Sequence, residues 1–178
     1  YRMSGSVRTN YQRLKIIYNF KSLIDKILNK KKLNICLRYK KNIESQYIKF
    51  NERYFSKNIK IDRAENDVNE LYANSKLIIT DTMSTTFFEC MSHNIPVIIF
   101  IDKDYEIITE RFKKIFLGMK KNNMVFHDLK KINSFIIQNQ GKIDTWWNSS
   151  NVQKIRLNFI KNFANRSSLS SKLIEKII

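Results

Sequence analysis

Residues 77–101 decide the fold of this chain: they read LIITDTMSTTFFECMSHNIPVIIFI. Two continuous apolar runs, 77–80 and 96–101, are rich in β-branched residues. Between them lie a hydroxyl-rich turn and a segment with helical spacing over residues 85–93. Apolar runs without polar alternation are typical of strands in a parallel sheet that is covered on both faces. The stretch therefore predicts a strand–helix–strand unit of an open α/β sheet.

The rest of the chain continues this alternation of strands and helices. We predict further strands at 33–37, 58–61 and 124–126, and helices at 11–29, 43–55, 67–74, 105–117, 129–139, 152–164 and 169–177. The predicted fold class is α/β, a Rossmann-like open parallel sheet flanked by helices. The 178 residues show no linker or internal repeat. We therefore expect residues 1–178 to form a single domain, with the C-terminal helices from about 150 to 178 packing back on it.

Composition excludes several classes of protein. With 3 Gly and 1 Pro, the chain is neither collagen-like nor a turn-dense all-β protein. It has no apolar run of the roughly 18–20 residues needed to span a bilayer. The two cysteines, Cys36 and Cys90, are too few to hold a fold of this size together, which points to a reducing compartment or to no disulfide at all. We expect a cytoplasmic location. No Cys or His spacing resembles a metal site, so we expect neither a metal nor another cofactor.

The net charge of +17 permits two interpretations. A basic protein suggests nucleic acid or an anionic membrane surface as partner. However, the chain has 24 Lys against 9 Arg, the bias of an AT-rich genome acting on solvated positions. The charge is also uneven: residues 1–61 carry +13, residues 62–110 carry −7 and residues 111–178 carry +11. The basic flanks favour one candidate function, a nucleic-acid or membrane-surface binding module. The acidic middle, residues 62–110, favours a different function, so the binding module is kept as the alternative.

The acidic middle contains a candidate anion site at Ser84, Thr85 and Thr86. These hydroxyls lie where a predicted strand ends and a helix begins, a place with unpaired N–H groups and the positive end of a helix dipole. Ligands of open α/β sheets bind beyond the carboxyl ends of the strands, so the position suits a nucleotide diphosphate. Ordinary helix capping is the competing interpretation. Glu89 favours a ligand, because a carboxylate in an apolar segment suits the hydroxyls of a ribose.

The pattern Asp-x-x-Ser-Thr-Thr-Phe-x-Glu over residues 81–89, with Pro96 seven residues after Glu89, resembles the donor-binding half of GT-B glycosyltransferases. It is similar, more distantly, to enzymes that transfer glycerol phosphate from a CDP donor. The likeness is closest to bacterial surface-carbohydrate transferases, whose Trp-Trp-Asn-Ser-x-x-Val-Gln stretch matches residues 146–153. From residue type alone, Trp146 and Trp147 are expected to be packing anchors. The resemblance implies that Ser84, Thr85 and Thr86 bind the donor diphosphate and that Glu89 binds its ribose.

The resemblance also implies contributions from outside this motif. In such domains the loop after the first strand approaches the diphosphate, which assigns Ser4 and Gly5 to that role, with a frayed terminus as the other interpretation. Arg38 matches an arginine in the family, but the His and Pro that follow it there are missing. Either that function is lost here, or Lys40 or Lys41 supplies the charge. Tyr105 and Glu106 follow the strand after the ribose helix and are expected to line the sugar pocket.

The function implied is that of a transferase for surface polysaccharide biosynthesis, with a nucleotide-activated sugar or polyol phosphate as donor. This chain would be the donor-binding half of a GT-B enzyme, inactive alone, with its catalytic partner domain upstream. The catalytic base would lie in that partner domain. The expected partners are the donor, a glycan or lipid-linked acceptor and an anionic membrane at its inner face, with no specific nucleic acid. An α/β response-type domain would instead need an acidic cluster, to which only Asp81 and Asp102 contribute.

Overall fold

The computed structural model of the chain describes residues 10–30, 33–39, 53–55, 59–103 and 108–163. Its helices and strands follow one another along the chain in largely alternating order. They are α1 (Asn10–Lys30), β1 (Cys36–Arg38), β2 (Lys60–Asp62), α2 (Val68–Ala73), β3 (Ile78–Thr80), α3 (Thr85–Ser92), β4 (Val97–Phe100), α4 (Glu110–Lys121), β5 (Val125–Phe126), α5 (Leu129–Gln138), α6 (Ile143–Trp147) and α7 (Ser150–Phe163).

Every strand pairing in the described residues is parallel. β1 pairs with β2, and β3, β4 and β5 lie side by side in that order in a second sheet. The register places Ile79 opposite Ile98 and Ile99 opposite Val125. The predicted fold class is therefore confirmed: the chain is an α/β protein of Rossmann-like type, with open parallel sheets flanked by helices.

The central strand β4 is apolar on both faces because both faces are buried. All four of its residues are buried. Val97 and Ile99 join a core cluster that includes residues of α3, α4 and α7, whereas Ile98 and Phe100 join a second cluster with residues of α1 and α5. Successive side chains of a strand point to opposite faces, so β4 carries one hydrophobic layer on each side.

Several boundaries differ from those that the sequence predicts. The strands at 33–37 and 58–61 lie slightly later, at Cys36–Arg38 and Lys60–Asp62, and the helix at 105–117 begins only at Glu110. Helix α6 was not predicted, because a helix of only five residues is too short to show a helical period. The helix at 43–55 falls mostly outside the described residues, and the helix at 169–177 falls wholly outside them.

Helix α7 is the described part of the predicted C-terminal helices. Its Val152 and Phe159 are buried in the cluster shared with α3 and α4, where the Phe159 ring contacts Phe87 and Phe112. None of the helices in the described ranges is long and apolar enough to cross a membrane.

Candidate functional site

The candidate site lies where β3 leads into α3. β3 ends at Thr80, the chain bends over residues 81–84, and α3 begins at Thr85 with Ser84 as its N-cap residue. The Ser84 backbone is extended, with φ −99° and ψ −176°, and its carbonyl accepts the N–H of Phe88 at 3.2 Å. Ser84 and Thr85 are exposed and Thr86 is partly buried. The predicted strand-to-helix position of the three hydroxyls is thus the observed one.

The Ser84 side chain does not cap its helix. It makes no hydrogen bond to the backbone N–H groups of the first turn of α3. By contrast, the Asp67 carboxylate accepts the Asn69 N–H at 3.0 Å at the start of α2, and Asp128 accepts the Lys130 N–H at 2.8 Å at the start of α5. Two other helices are thus capped as expected, whereas neither Ser84 at the start of α3 nor Thr109 at the start of α4 uses its hydroxyl for capping.

Thr80, at the carboxyl end of β3, also carries a hydroxyl without a partner. The residue is 8% exposed, and its Oγ1 atom is buried with no hydrogen-bond partner among the described residues. A buried hydroxyl without a partner is unfavourable by roughly 1–3 kcal/mol. A further polar group at this end of β3 would therefore be stabilising.

Glu89 lies on the second turn of α3 and is held by Tyr72 of α2. The Tyr72 hydroxyl donates to Glu89 Oε2 at 2.7 Å, and Oε1 accepts no hydrogen bond within the described ranges. Burial and then the hydrogen bond to Glu89 raise the pKa of the Tyr72 phenol, while a hydrogen bond with the Thr86 side chain acts in the opposite direction. The phenol is thus a fixed donor that leaves one carboxylate oxygen for a ligand.

Arg38, the other described candidate for the diphosphate, lies in the two-stranded sheet. Its Nη1 forms an ion pair with the buried Asp62 of β2 and donates to the Asn66 carbonyl at 3.1 Å. Asn66 in turn donates to Asp62 Oδ1 at 2.9 Å through its side-chain amide. The structure therefore gives Arg38 a structural partner and records no contact between it and Ser84, Thr85 or Thr86.

The remaining sequence candidates divide into two groups. Ser4, Gly5, Tyr105 and Glu106 lie outside the described residues. Asp102 forms an ion pair with Lys15 at 2.8 Å. Within the ranges that the structure describes, no three His, Cys, Asp or Glu residues are grouped closely enough to hold a metal ion.

The double-tryptophan motif is hydrogen-bonded to the turn at the C-terminal end of α3. The Trp147 indole N–H donates to both the carbonyl oxygen and Oδ1 of Asn94, and Gln153 donates to the same Oδ1, each at 3.0 Å. Arg156 donates to Gln153 Oε1 and to the Met91 carbonyl, both at 2.8 Å. Trp147 is 1% exposed. The expectation that this tryptophan is a packing anchor is therefore confirmed.

Two residues of this region could not be identified from the sequence. Tyr72 lies 17 residues before Glu89, and nothing in the local pattern of α2 links the two. Asn94 has a positive φ of 58°, a conformation in which Asn is enriched. Its position in the turn after α3 was the one available signal.

The fold and the site together define the class of protein. It is a Rossmann-like α/β protein with a hydroxyl-rich strand-to-helix loop and, one turn further along the helix, an acid held by a hydrogen bond. The family model of the LIC12162 family transferases matches residues 1–178, the whole chain, and the protein belongs to that family. No curated protein matches the chain at a significant level, and neither does any solved structure.

Proposed function

We propose that this transferase uses a nucleotide-activated sugar or polyol phosphate as donor for surface polysaccharide biosynthesis, and that this chain is the donor-binding half of a GT-B-type enzyme. Family membership supports a transferase. The donor class is our inference from the loop and the acid at the start of α3.

The observation that carries the proposal is the arrangement of Ser84 and Glu89 on one helix. Ser84 opens α3 with a hydroxyl that does not cap it, and Glu89 presents a carboxylate whose Oε2 alone is bound. At a rise of 1.5 Å per residue, five residues separate them by about 7.5 Å along the axis. A ribose with its 5′-phosphates can bridge such a span, with phosphate at the helix N-terminus and sugar hydroxyls at the acid.

The chemistry that follows is assistance to the leaving group. In transfer from a nucleotide sugar, the bond between the sugar carbon and the diphosphate oxygen breaks as the acceptor oxygen forms its own bond to that carbon. Negative charge then grows on the departing phosphate. The N–H groups of the first turn of α3 and the hydroxyls of Ser84, Thr85 and Thr86 would stabilise it. The acceptor proton would pass to a base that we assign to the partner domain.

The charge distribution supports the proposed partners. The flanking regions, residues 1–61 and 111–178, are strongly basic. Basic surroundings raise the local concentration of an anionic donor and favour contact with anionic lipid, where a lipid-linked glycan acceptor would be found. We therefore propose peripheral association with the inner face of a membrane.

Isothermal titration calorimetry with UDP, CDP and CMP tests the proposal. The wild-type chain should bind at least one of the three, and Ser84→Ala and Glu89→Ala should each weaken that binding about tenfold, the order expected for hydrogen bonds to charged groups. Ser134→Ala, which removes an exposed hydroxyl from α5, is the matched control and should bind like the wild type. Absence of binding at millimolar nucleotide would contradict the proposal.

The same protein tests the alternative function. A basic nucleic-acid binding module would bind duplex or single-stranded DNA with an affinity that falls steeply as salt rises. We expect only weak DNA binding, unaffected by Ser84→Ala and Glu89→Ala. Tight, salt-sensitive DNA binding together with no nucleotide binding would favour the alternative.

A further inference from the structure

Glu89 is an effective sugar ligand only if its carboxylate is held in one orientation, and Tyr72 is the residue that holds it. We propose that Tyr72 is a positioning residue that makes this site selective for ribonucleotides over 2′-deoxyribonucleotides. This inference rests on the proposed donor site.

The phenol itself is rigidly placed. Tyr72 is 9% exposed and belongs to the large core cluster with residues of α3, α4 and α7. The short helix that carries it is fixed at both ends, by the Asp67 cap and by the Asn74 side-chain amide, which donates to the Glu70 carbonyl at 2.9 Å. The position of the hydroxyl is therefore set by the core and does not depend on a ligand.

The carboxylate is only partly buried and would otherwise be free to rotate. Glu89 is of intermediate exposure, and the phenol fixes Oε2 at 2.7 Å. A flexible side chain loses conformational freedom when a ligand orders it, and a side chain already held loses less. Because Oε2 is engaged, Oε1 is the oxygen presented to a ligand hydroxyl.

Selectivity follows from the hydrogen bond to Glu89 that a deoxy-sugar cannot make. A site built to bond a substrate hydroxyl discriminates strongly against an analogue that lacks it, because the site's own polar group is then left without a partner. A carboxylate that can rotate would escape this penalty by turning towards water. A carboxylate fixed by Tyr72 would not escape it.

The alternative is that the Tyr72–Glu89 bond serves only to join α2 to α3. In that case its loss would lower stability and leave discrimination between nucleotides unchanged. Tyr72→Phe separates the two possibilities, because it removes one hydroxyl and keeps the ring in the core.

The experiment is a set of titrations of the full chain with UDP and CDP and with their 2′-deoxy analogues, dUDP and dCDP. The wild type should prefer the ribonucleotide at least tenfold, and Tyr72→Phe should reduce the preference to about threefold or less, mainly through weaker ribonucleotide binding. Glu89→Asp, which shortens the acid by one methylene and so draws it away from the phenol, should have the same effect and provides the test if Tyr72→Phe folds poorly. Tyr54→Phe removes the hydroxyl of a partly buried tyrosine that packs against a different core cluster and should retain the wild-type preference.

The outcomes distinguish this inference from the donor-site proposal. If the wild type binds neither nucleotide, the proposed function itself is wrong. If the wild type binds both equally, or if Tyr72→Phe and Glu89→Asp keep its preference, the positioning role of Tyr72 is wrong while nucleotide binding stands. Thermal unfolding of each variant confirms that folded proteins are being compared.

Discussion

The indole N–H of Trp147 donates to two oxygens of Asn94, the backbone carbonyl and the side-chain Oδ1, each at 3.0 Å. Asn94 lies in the turn between α3 and β4, and Trp147 ends α6, 53 residues later in the chain. The bond therefore fixes the C-terminal end of the helix whose N-terminal end carries the candidate site. The double-tryptophan motif thus supports the site from a distance.

Substitution of Asn94 separates its two roles. The residue has φ 58°, which glycine adopts without strain and alanine does not. Asn94→Gly loses the side-chain bonds to Trp147 and Gln153 and should lower the free energy of unfolding by about 1 kcal/mol. Asn94→Ala loses the same bonds and adds backbone strain, for a total of about 2–3 kcal/mol. Urea unfolding measures both, and equal losses would show that backbone conformation contributes nothing here.

Ser84→Ala should leave stability nearly unchanged. The Ser84 hydroxyl caps no N–H group, so its removal should alter the free energy of unfolding by less than about 0.5 kcal/mol. Asp128→Ala, which removes the cap seen at α5, is the matched comparison and should cost about 1 kcal/mol. A loss for Ser84→Ala as large as that for Asp128→Ala would identify Ser84 as an ordinary cap.

The buried Asp62 should make stability fall at acid pH. Burial alone raises the pKa of its carboxyl, but the hydrogen bonds from Asn66 and the Arg38 guanidinium outweigh burial and hold that pKa below its ordinary value. Because the folded carboxyl has the lower pKa, its contribution is present above the ordinary aspartate pKa and is lost as pH falls through the folded pKa.

Asp62→Asn tests this assignment. At pH 7 the variant leaves Arg38 without its carboxylate partner and should lower the free energy of unfolding by about 2 kcal/mol. The difference from the wild type should shrink below about pH 4, where the unfolded wild-type chain is itself protonated at this position. Glu65→Gln, at an exposed position, is the control and should show little difference at either pH. A constant difference across this range would contradict the pKa shift.

Thiol labelling tests the orientation of α3. Cys90 is 0% exposed, and burial raises the pKa of its thiol to about 12, so it should not react with a disulfide reagent at pH 8. Cys36 is exposed and should react. We expect one reactive thiol in the folded chain and two in urea. Rapid labelling of both in the folded chain would show that α3 does not bury its inner face as described.

Strand identity and the strand-to-helix position of Ser84 could be predicted because both are local. The continuous apolar run at Val97–Phe100 required two covered faces, and Ser84 follows a strand and precedes a helix whatever the rest of the chain does. The first and last residues of the helices and strands were harder to predict, because they depend on capping and packing. Periodicity alone places Leu14 and Tyr18 on the apolar face of α1 with Ile17, yet they are 51% and 65% exposed, whereas Ile17 is buried.

Contacts between distant segments could not be predicted. The family resemblance implied a diphosphate role for Arg38, but nothing in the sequence showed that Arg38 would pair with Asp62, which lies on a neighbouring strand 24 residues away. Tyr72 was missed for the same reason, since its bond to Glu89 depends on how α2 and α3 pack. A sequence pattern shows which residue types are present, and it does not show which of them tertiary structure will pair.

The most direct test of the central claim is an NMR titration of the ¹⁵N-labelled chain with CDP and UDP. Phosphate bound at the start of α3 should shift the amide resonances of Thr85, Thr86 and Phe87 most strongly, with a second set of shifts near Glu89. The lysine-rich surfaces of α4 and α5 should change little. If the largest shifts fall on those basic helices, or if the amides of residues 84–89 do not respond at saturation, the assignment of the donor site to α3 is contradicted.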